Sequence, residues 1–148
     1  MSQSPEQAAA VSAEEIDGFF SAVFPGRNMP RHSEVARGRV TVELDCGERN
    51  LRPPDYINGP TQMTIADHAA YVAVFTLLGI TPMALTSNLN INFLRPARGK
   101  VLVAEAEVMK HGRSSIVIEV TMRGKGAEKP ASHAVVTYVV PDAASSVG

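Results

Sequence analysis

The chain of 148 residues has the length of one domain, and its 14 Lys and Arg against 15 Asp and Glu leave a formal net charge of -1, too little positive charge to be drawn to a phosphate backbone. Hydrophobic residues at 45% and charged residues at 20% exclude disordered, collagen-like and coiled-coil classes. The lone Cys46 can neither close an internal disulfide nor build a cysteine zinc cluster, and residues 1–6 carry no Lys or Arg ahead of a long apolar run, so the expectation is a cytoplasmic protein without membrane or nucleic-acid partners.

Residues 1–11 are small and polar and read as a mobile tail, ahead of a single domain over 12–148. Ser12 with Glu15 three positions on makes a capping box. Behind it Ile16, Phe19, Phe20 and Val23 repeat at helical spacing until Pro25-Gly26 ends the helix. Over 35–44, Val40, Val42 and Leu44 alternate with Thr41 and Glu43, the period of a half-buried strand. Residues 49–59 read as loop, broken by Pro53-Pro54-Asp55 and Asn58-Gly59-Pro60, and Pro60 suits a first helical turn, where its missing N–H had no partner. Residues 62–78 are the longest apolar stretch, with Asp67 as their only formal charge, which marks a central buried helix. Alternating strands follow over 84–94, 101–108, 115–122 and 134–140. Their short connections favour antiparallel hairpins. A sheet of about five strands must bury one face, and a single helix is apolar enough to cover it. The predicted class is α+β, with the sheet wrapped around the long helix and an extra helix at the N-terminus.

The common signatures of serine hydrolases, P-loop nucleotidases and zincins are missing. His32, His68, His111 and His133 are scattered along the chain, so no metal site and no cofactor are expected. Gly124-Lys125-Gly126 lies between two strands and reads as a hairpin loop. Asp67 stands out, because a carboxylate in an apolar helix is costly to bury unless it is paired or faces a solvent-filled cleft. It either caps a neighbouring loop or pairs with Arg52 or Arg95, or it serves as nucleophile or general base. Gly59 offers the complementary part: with no side chain, it lets a substrate oxygen approach the backbone N–H groups at the positive end of the helix. The same Asn58-Gly59-Pro60 also reads as a plain turn. Eight residues at ~1.5 Å rise place Gly59 and Asp67 ~12 Å apart, too far to act on one carbonyl. If both act, the site is shared between two subunits whose helices run past each other.

Asn58-Gly59 ahead of the helix with Asp67, the run Asn90-Ile91-Asn92-Phe93-Leu94-Arg95-Pro96-Ala97-Arg98-Gly99, and Lys110-His111-Gly112-Arg113-Ser114 resemble the hotdog-fold acyl-CoA thioesterases of the phenylacetate-degradation type. The resemblance covers roughly residues 51–140. It implies a hotdog fold, homodimers that pair into tetramers, an acyl-CoA substrate, and thioester hydrolysis without metal or redox cofactor. It further implies a catalytic set of Asn58, Gly59, Asp67 and Thr86. Gly59 polarises the thioester carbonyl, Asp67 of the partner subunit activates water or attacks directly, and the Thr86 hydroxyl orients the water. Arg95, Arg98 and the Gly112-Arg113-Ser114 turn fall where family members contact the coenzyme A nucleotide and its phosphates. The chain departs from the family pattern at Asn58-Gly59-Pro60, where His-Gly-Gly is common, and at Arg52, where Asn is frequent. Pro60 removes one backbone donor, and Arg52 can pair with Asp67. A non-catalytic hotdog module that binds an acyl or aryl ligand, and a hotdog hydratase, are the alternatives.

Overall fold

Residues 8–141 are described by the computed structural model. Ser12 caps α1 (Ala13–Val23) by the expected capping box, its hydroxyl accepting the Glu15 N–H while its own N–H donates to the Glu15 carboxylate. The single strand expected over 35–44 is two, β1 (Arg31–Ala36) and β2 (Arg39–Asp45), folded into a hairpin at Gly38, whose φ of 78° favours glycine. A two-residue pair, β3 (Leu51–Arg52) and β4 (Tyr56–Ile57), sits in the loop expected over 49–59. It leads into the long helix α2 (Gly59–Leu78), followed by β5 (Leu85–Phe93), β6 (Val101–His111), β7 (Ser115–Gly124) and β8 (Ser132–Val139).

The strands form one antiparallel sheet of six in the order β1-β2-β6-β7-β8-β5, one more than expected. Its inner face is written in the alternation of buried residues along the strands, such as Leu102, Ala104 and Ala106, or Ile116, Ile118, Val120 and Met122. α2 lies on this face, and Ala66, Ala69, Ala70 and Ala73, all fully buried, let helix and sheet approach closely. The opposite side of α2 is covered by α1, whose Phe19 and Phe20 pack their rings on Phe75 at 5.5 and 6.3 Å. Cover from both sides explains why α2 is apolar all round. This helix wrapped by an antiparallel sheet is the hotdog fold.

The expected tail over 1–11 is shortened at its inner end: Val11 is only 4% exposed and the Ala10 N–H donates to the Thr76 carbonyl at 2.8 Å, because an apolar side chain here gains by joining the core. Residues 1–7 of that tail lie outside the described residues. At the far end of β7, a Cβ on Gly124 would stand 1.8 Å from the Arg98 carbonyl oxygen, so only glycine lets the 95–99 loop seat on the sheet. No helix among the described residues is long and apolar enough to cross a membrane.

Candidate active site

Asp67 is half-buried on α2, and the structure corrects its expected partners. The Arg52 Nε donates to the Pro53 carbonyl, and Arg95 donates to the carbonyl of Pro130, so neither guanidinium neutralises the carboxylate. Two neutral hydroxyls hold it instead. Thr86 Oγ1 donates to Asp67 Oδ1 at 2.7 Å, and the Tyr138 phenol donates to the same oxygen at 2.8 Å. Both bonds fall on Oδ1, so Oδ2 is free of hydrogen bonds among the described residues. Burial, with Asp67 alongside, pushes the Tyr138 phenol well above the ordinary tyrosine value, and the phenol therefore stays protonated as a donor. The arrangement is an oriented anion with one oxygen anchored and the other available to a reactant.

Thr86 reaches Asp67 because β5 is irregular. Simple alternation would put Thr86 on the same face as Asn88, Asn90 and Asn92, away from the helix. A register shift between Thr86 and Asn88 turns Thr86 inward, opposite Tyr138 on β8, while Leu89 and Ile91 keep to the inner face. Sequence reasoning misses Tyr138, which lies 71 positions from Asp67 and reads as one more core residue of an alternating strand. Removing one donor from an anion costs about a factor of 10 to 100. Tyr138→Phe should therefore lower kcat by roughly that factor with KM nearly unchanged, whereas a purely structural role would lower the melting temperature and leave kcat per folded enzyme intact.

The N-terminus of α2 presents a single donor. The Asn58 carboxamide caps the helix, accepting the Thr61 N–H at 2.9 Å and donating to the Arg49 carbonyl at 3.1 Å, so its polar atoms are engaged in the fold. The Gln62 N–H bonds the Asn58 carbonyl, and Pro60 has no N–H. Gly59 N–H is the first-turn amide left without a partner among the described residues. A Cβ on Gly59 would stand 3.4 Å from the Phe93 ring, in ordinary van der Waals contact, so Gly59 lies directly beside that ring. From Asn58 a groove of about 780 Å³ runs along Thr61, Thr64, Ile65 and His68 of α2, with Met29 and Leu44 on its other wall.

The nucleotide-binding residues expected from the resemblance do not meet within one chain. Arg113 is exposed in the turn after β6, whereas Arg95 and Arg98 precede it, so the ~33 Å length of an 11-residue strand separates them. Arg98 lies over Tyr56, with its guanidinium carbon 5.2 Å from the ring centre. The Gly112 N–H closes the turn on the Ser115 carbonyl at 2.8 Å, and a Cβ there would stand 2.9 Å from that same oxygen, so Gly112 shapes the turn. The Ser114 carbonyl accepts the Val140 N–H, and its side chain remains exposed.

The sequence profile of the Thioesterase superfamily matches residues 55–131, just over half of the chain, and the chain belongs to that family. A 1,4-dihydroxy-2-naphthoyl-CoA hydrolase of Listeria monocytogenes is 26% identical over 86 residues, 58% of this chain and 70% of the relative. Among solved structures, a thioesterase candidate from Silicibacter sp. TM1040 is 27% identical, with a TM-score of 0.84 over 93% of this chain and 97% of that one. Thioesterase superfamily member 2 of zebra fish shares the fold at 20% identity, with a TM-score of 0.77 over 88% of this chain and 99% of its own. These likenesses support thioester hydrolysis as the class of reaction.

Proposed function

We propose that the protein hydrolyses acyl-CoA thioesters at a site completed by a second copy of the chain. The observation that carries this reading is the placement of the two reacting groups along β5. Asp67 is bonded to Thr86 at the start of that strand, and Gly59 lies beside Phe93 at its end. β5 is an open edge of the sheet, with Leu85, Phe93 and Leu94 each more than half exposed. An exposed apolar edge strand is a template for pairing. Two copies paired antiparallel across β5 set the end of one strand beside the start of the other, which brings each Gly59 to the Asp67 of the partner subunit. The same two-fold sets Arg113 at the end of the sheet that carries Arg95 and Arg98 of the partner subunit.

That juxtaposition dictates the chemistry. The thioester carbonyl oxygen accepts the Gly59 N–H, at the positive end of the α2 dipole. The free Oδ2 of the facing Asp67 takes a proton from water as the water oxygen bonds the carbonyl carbon, and the resulting oxyanion is held by the Gly59 amide. Collapse breaks the C–S bond, the thiolate recovers the proton from Asp67, and the acid and coenzyme A leave. In the direct variant, Asp67 attacks the carbonyl itself and the C–S bond breaks to give a mixed anhydride and the coenzyme A thiolate; water then gives a proton to the thiolate and its hydroxyl to the acyl carbon, which frees the acid and the Asp67 carboxylate. The Listeria relative acts, by its name, on a CoA thioester, which supports coenzyme A as the leaving group. The exposure of Arg113 and Ser114 at a turn supports a contact from them to a nucleotide phosphate.

The test is a hydrolysis screen over short, medium, long and aromatic acyl-CoAs, repeated with the matching acyl-pantetheines. Turnover is expected with at least one class. Arg113→Ala should raise KM for the CoA thioester by ~10- to 100-fold with kcat nearly unchanged, since a remote phosphate contact binds ground and transition states alike. The effect should vanish with the pantetheine thioester. Absence of turnover across the screen would leave a non-catalytic ligand-binding module, and equal losses on both thioesters would remove Arg113 from coenzyme binding.

A further inference from the structure

The two hydroxyls that anchor Asp67 are themselves held by one side chain from the next helical turn. Tyr71 lies four residues after Asp67 on α2, so the two project from neighbouring positions on one face of the helix. Its ring stacks on that of Tyr138, with the planes 20° apart and the centroids at 5.6 Å. Its phenol donates to the Pro82 carbonyl at 2.9 Å, in the turn that leads into β5 and Thr86. Phe75 and Phe20 also pack on the Tyr71 ring, with centroids at 4.5 and 6.2 Å, and so fix its position. Burial raises the Tyr71 phenol above its ordinary value, which keeps it a donor.

Each donor has a way to miss Oδ1. The Tyr138 hydroxyl carries one proton but has two acceptors within reach, Asp67 Oδ1 at 2.8 Å and the Asp67 backbone carbonyl at 3.1 Å. A phenol O–H lies near the plane of its ring, so a small rotation of the ring is enough to favour the backbone oxygen, and the stacked Tyr71 ring opposes that rotation. Thr86 stands at the start of an edge strand, immediately before the register shift, where β8 alone supports the backbone. Within the shift the strand is pinned by Ser87 Oγ, which donates to the Thr137 carbonyl at 3.2 Å. Ahead of it, the 79–84 turn closes on itself, through the Ala84 N–H to the Thr81 carbonyl and the Thr81 hydroxyl to the Gly79 carbonyl. The Tyr71 phenol adds the tie from this turn to the part of α2 that carries Asp67.

We propose that Tyr71 is a positioning residue for the hydrolytic carboxylate, its ring aiming the Tyr138 phenol and its hydroxyl fastening the turn that delivers Thr86, so that both donors stay on Oδ1 and leave Oδ2 to the reactant. This deepens the proposed thioester hydrolysis and rests on Asp67 as its reacting group. Tyr71 touches neither the thioester nor Asp67 through a hydrogen bond of its own among the described residues. Its contribution passes through the two donors and disappears when the donor it aims is removed.

The full-length protein tests this with two substitutions, assayed on the acyl-CoA that the hydrolysis screen shows to be turned over best. Tyr71→Phe keeps the stack and drops the tie to Pro82, and should lower kcat about threefold. Tyr71→Leu drops both and should lower kcat about tenfold or more. KM should be nearly unchanged in each, because the two donors act on the carboxylate and not on the bound thioester. In the Tyr138→Phe background no phenol proton remains to be aimed, so the further loss from Tyr71→Phe to Tyr71→Leu should vanish. A purely structural residue would lower the melting temperature, leave kcat per folded enzyme intact and act independently of Tyr138. Undiminished kcat in folded Tyr71→Leu, or the same further loss with and without the Tyr138 phenol, would overturn the proposal. If no thioester is turned over, proton NMR decides it: the chain has three tyrosines, so the Tyr138 hydroxyl proton is assigned by substitution. That proton should exchange slowly in the wild type and about tenfold or more faster in Tyr71→Leu. Equal exchange would overturn the role of Tyr71, whereas faster exchange without turnover would support it and count against hydrolysis alone.

Discussion

Replacing Asp67 by Asn lowers kcat by ~10²- to 10⁴-fold and leaves the fold in place. The amide oxygen can still accept from Thr86 and Tyr138, the two donors that anchor Oδ1. What is lost is the negative charge on the second oxygen, which in the proposed reaction takes the proton of water or attacks the carbonyl. With no cation paired to Asp67 among the described residues, the exchange strands no buried positive charge. The melting temperature should therefore stay within about 3 °C of the wild type. Steady-state kinetics and thermal melts on one preparation check both halves. Undiminished kcat would remove Asp67 from the chemistry, and a gain in stability without activity in either protein would make it structural.

The second large effect is on stability in weak acid. His32 and His68 are held neutral by burial, His68 down to about 3. His32 faces Asp17 from α1 and His68 from α2, and Phe20 packs on both rings. Well above pH 6.5 the rings are neutral in folded and unfolded chains alike and contribute no pH dependence. Below it the unfolded chain takes up protons that the folded chain refuses, so stability falls as pH falls, by up to about 1.4 kcal/mol per pH unit for each ring. For His68 the loss continues until the folded ring titrates near pH 3. Between pH 6.5 and 5 most carboxylates remain ionised, so this window isolates the histidines. Urea unfolding at fixed protein concentration should show a loss of about 2 kcal/mol or more from pH 6.5 to 5. His68→Gln, which keeps an N–H for His32 but does not titrate, should remove a large part of that slope. Equal stability at both pH values would contradict a neutral buried pair.

The features that sequence makes legible are the local ones. The Ser12–Glu15 capping box, the apolar run from Ile65 to Phe75 and the alternation along β6, β7 and β8 each depend on residues within a few positions of one another, and the structure bears them out. β1 merges into its neighbour in the sequence because an edge strand bearing His32, Ser33 and Glu34 has no alternating apolar face to announce it. The inward turn of Thr86 depends on a bulge that alternation cannot encode, and Tyr138 meets Asp67 only because β8 lies between β7 and β5. The pairing of His32 with His68 spans 36 positions and two elements, so the scattered histidines read as unrelated. Only contacts across the sheet and helix make these groups neighbours.

The shared site is tested most directly by mixing two inactive chains. Gly59→Val places a branched side chain against Phe93 and beside the Gly59 amide, blocking the carbonyl position, while Asp67→Asn removes the acting carboxylate. Each homodimer should be nearly inactive. In a mixed dimer, obtained by co-expression with two different tags, one interface joins the intact Gly59 of one chain to the intact Asp67 of the other, so half of the wild-type activity per dimer should return. The opposite result, a purified mixed dimer as inactive as either parent while both variants remain folded, would show that Gly59 and Asp67 do not act on one thioester across the β5 edge.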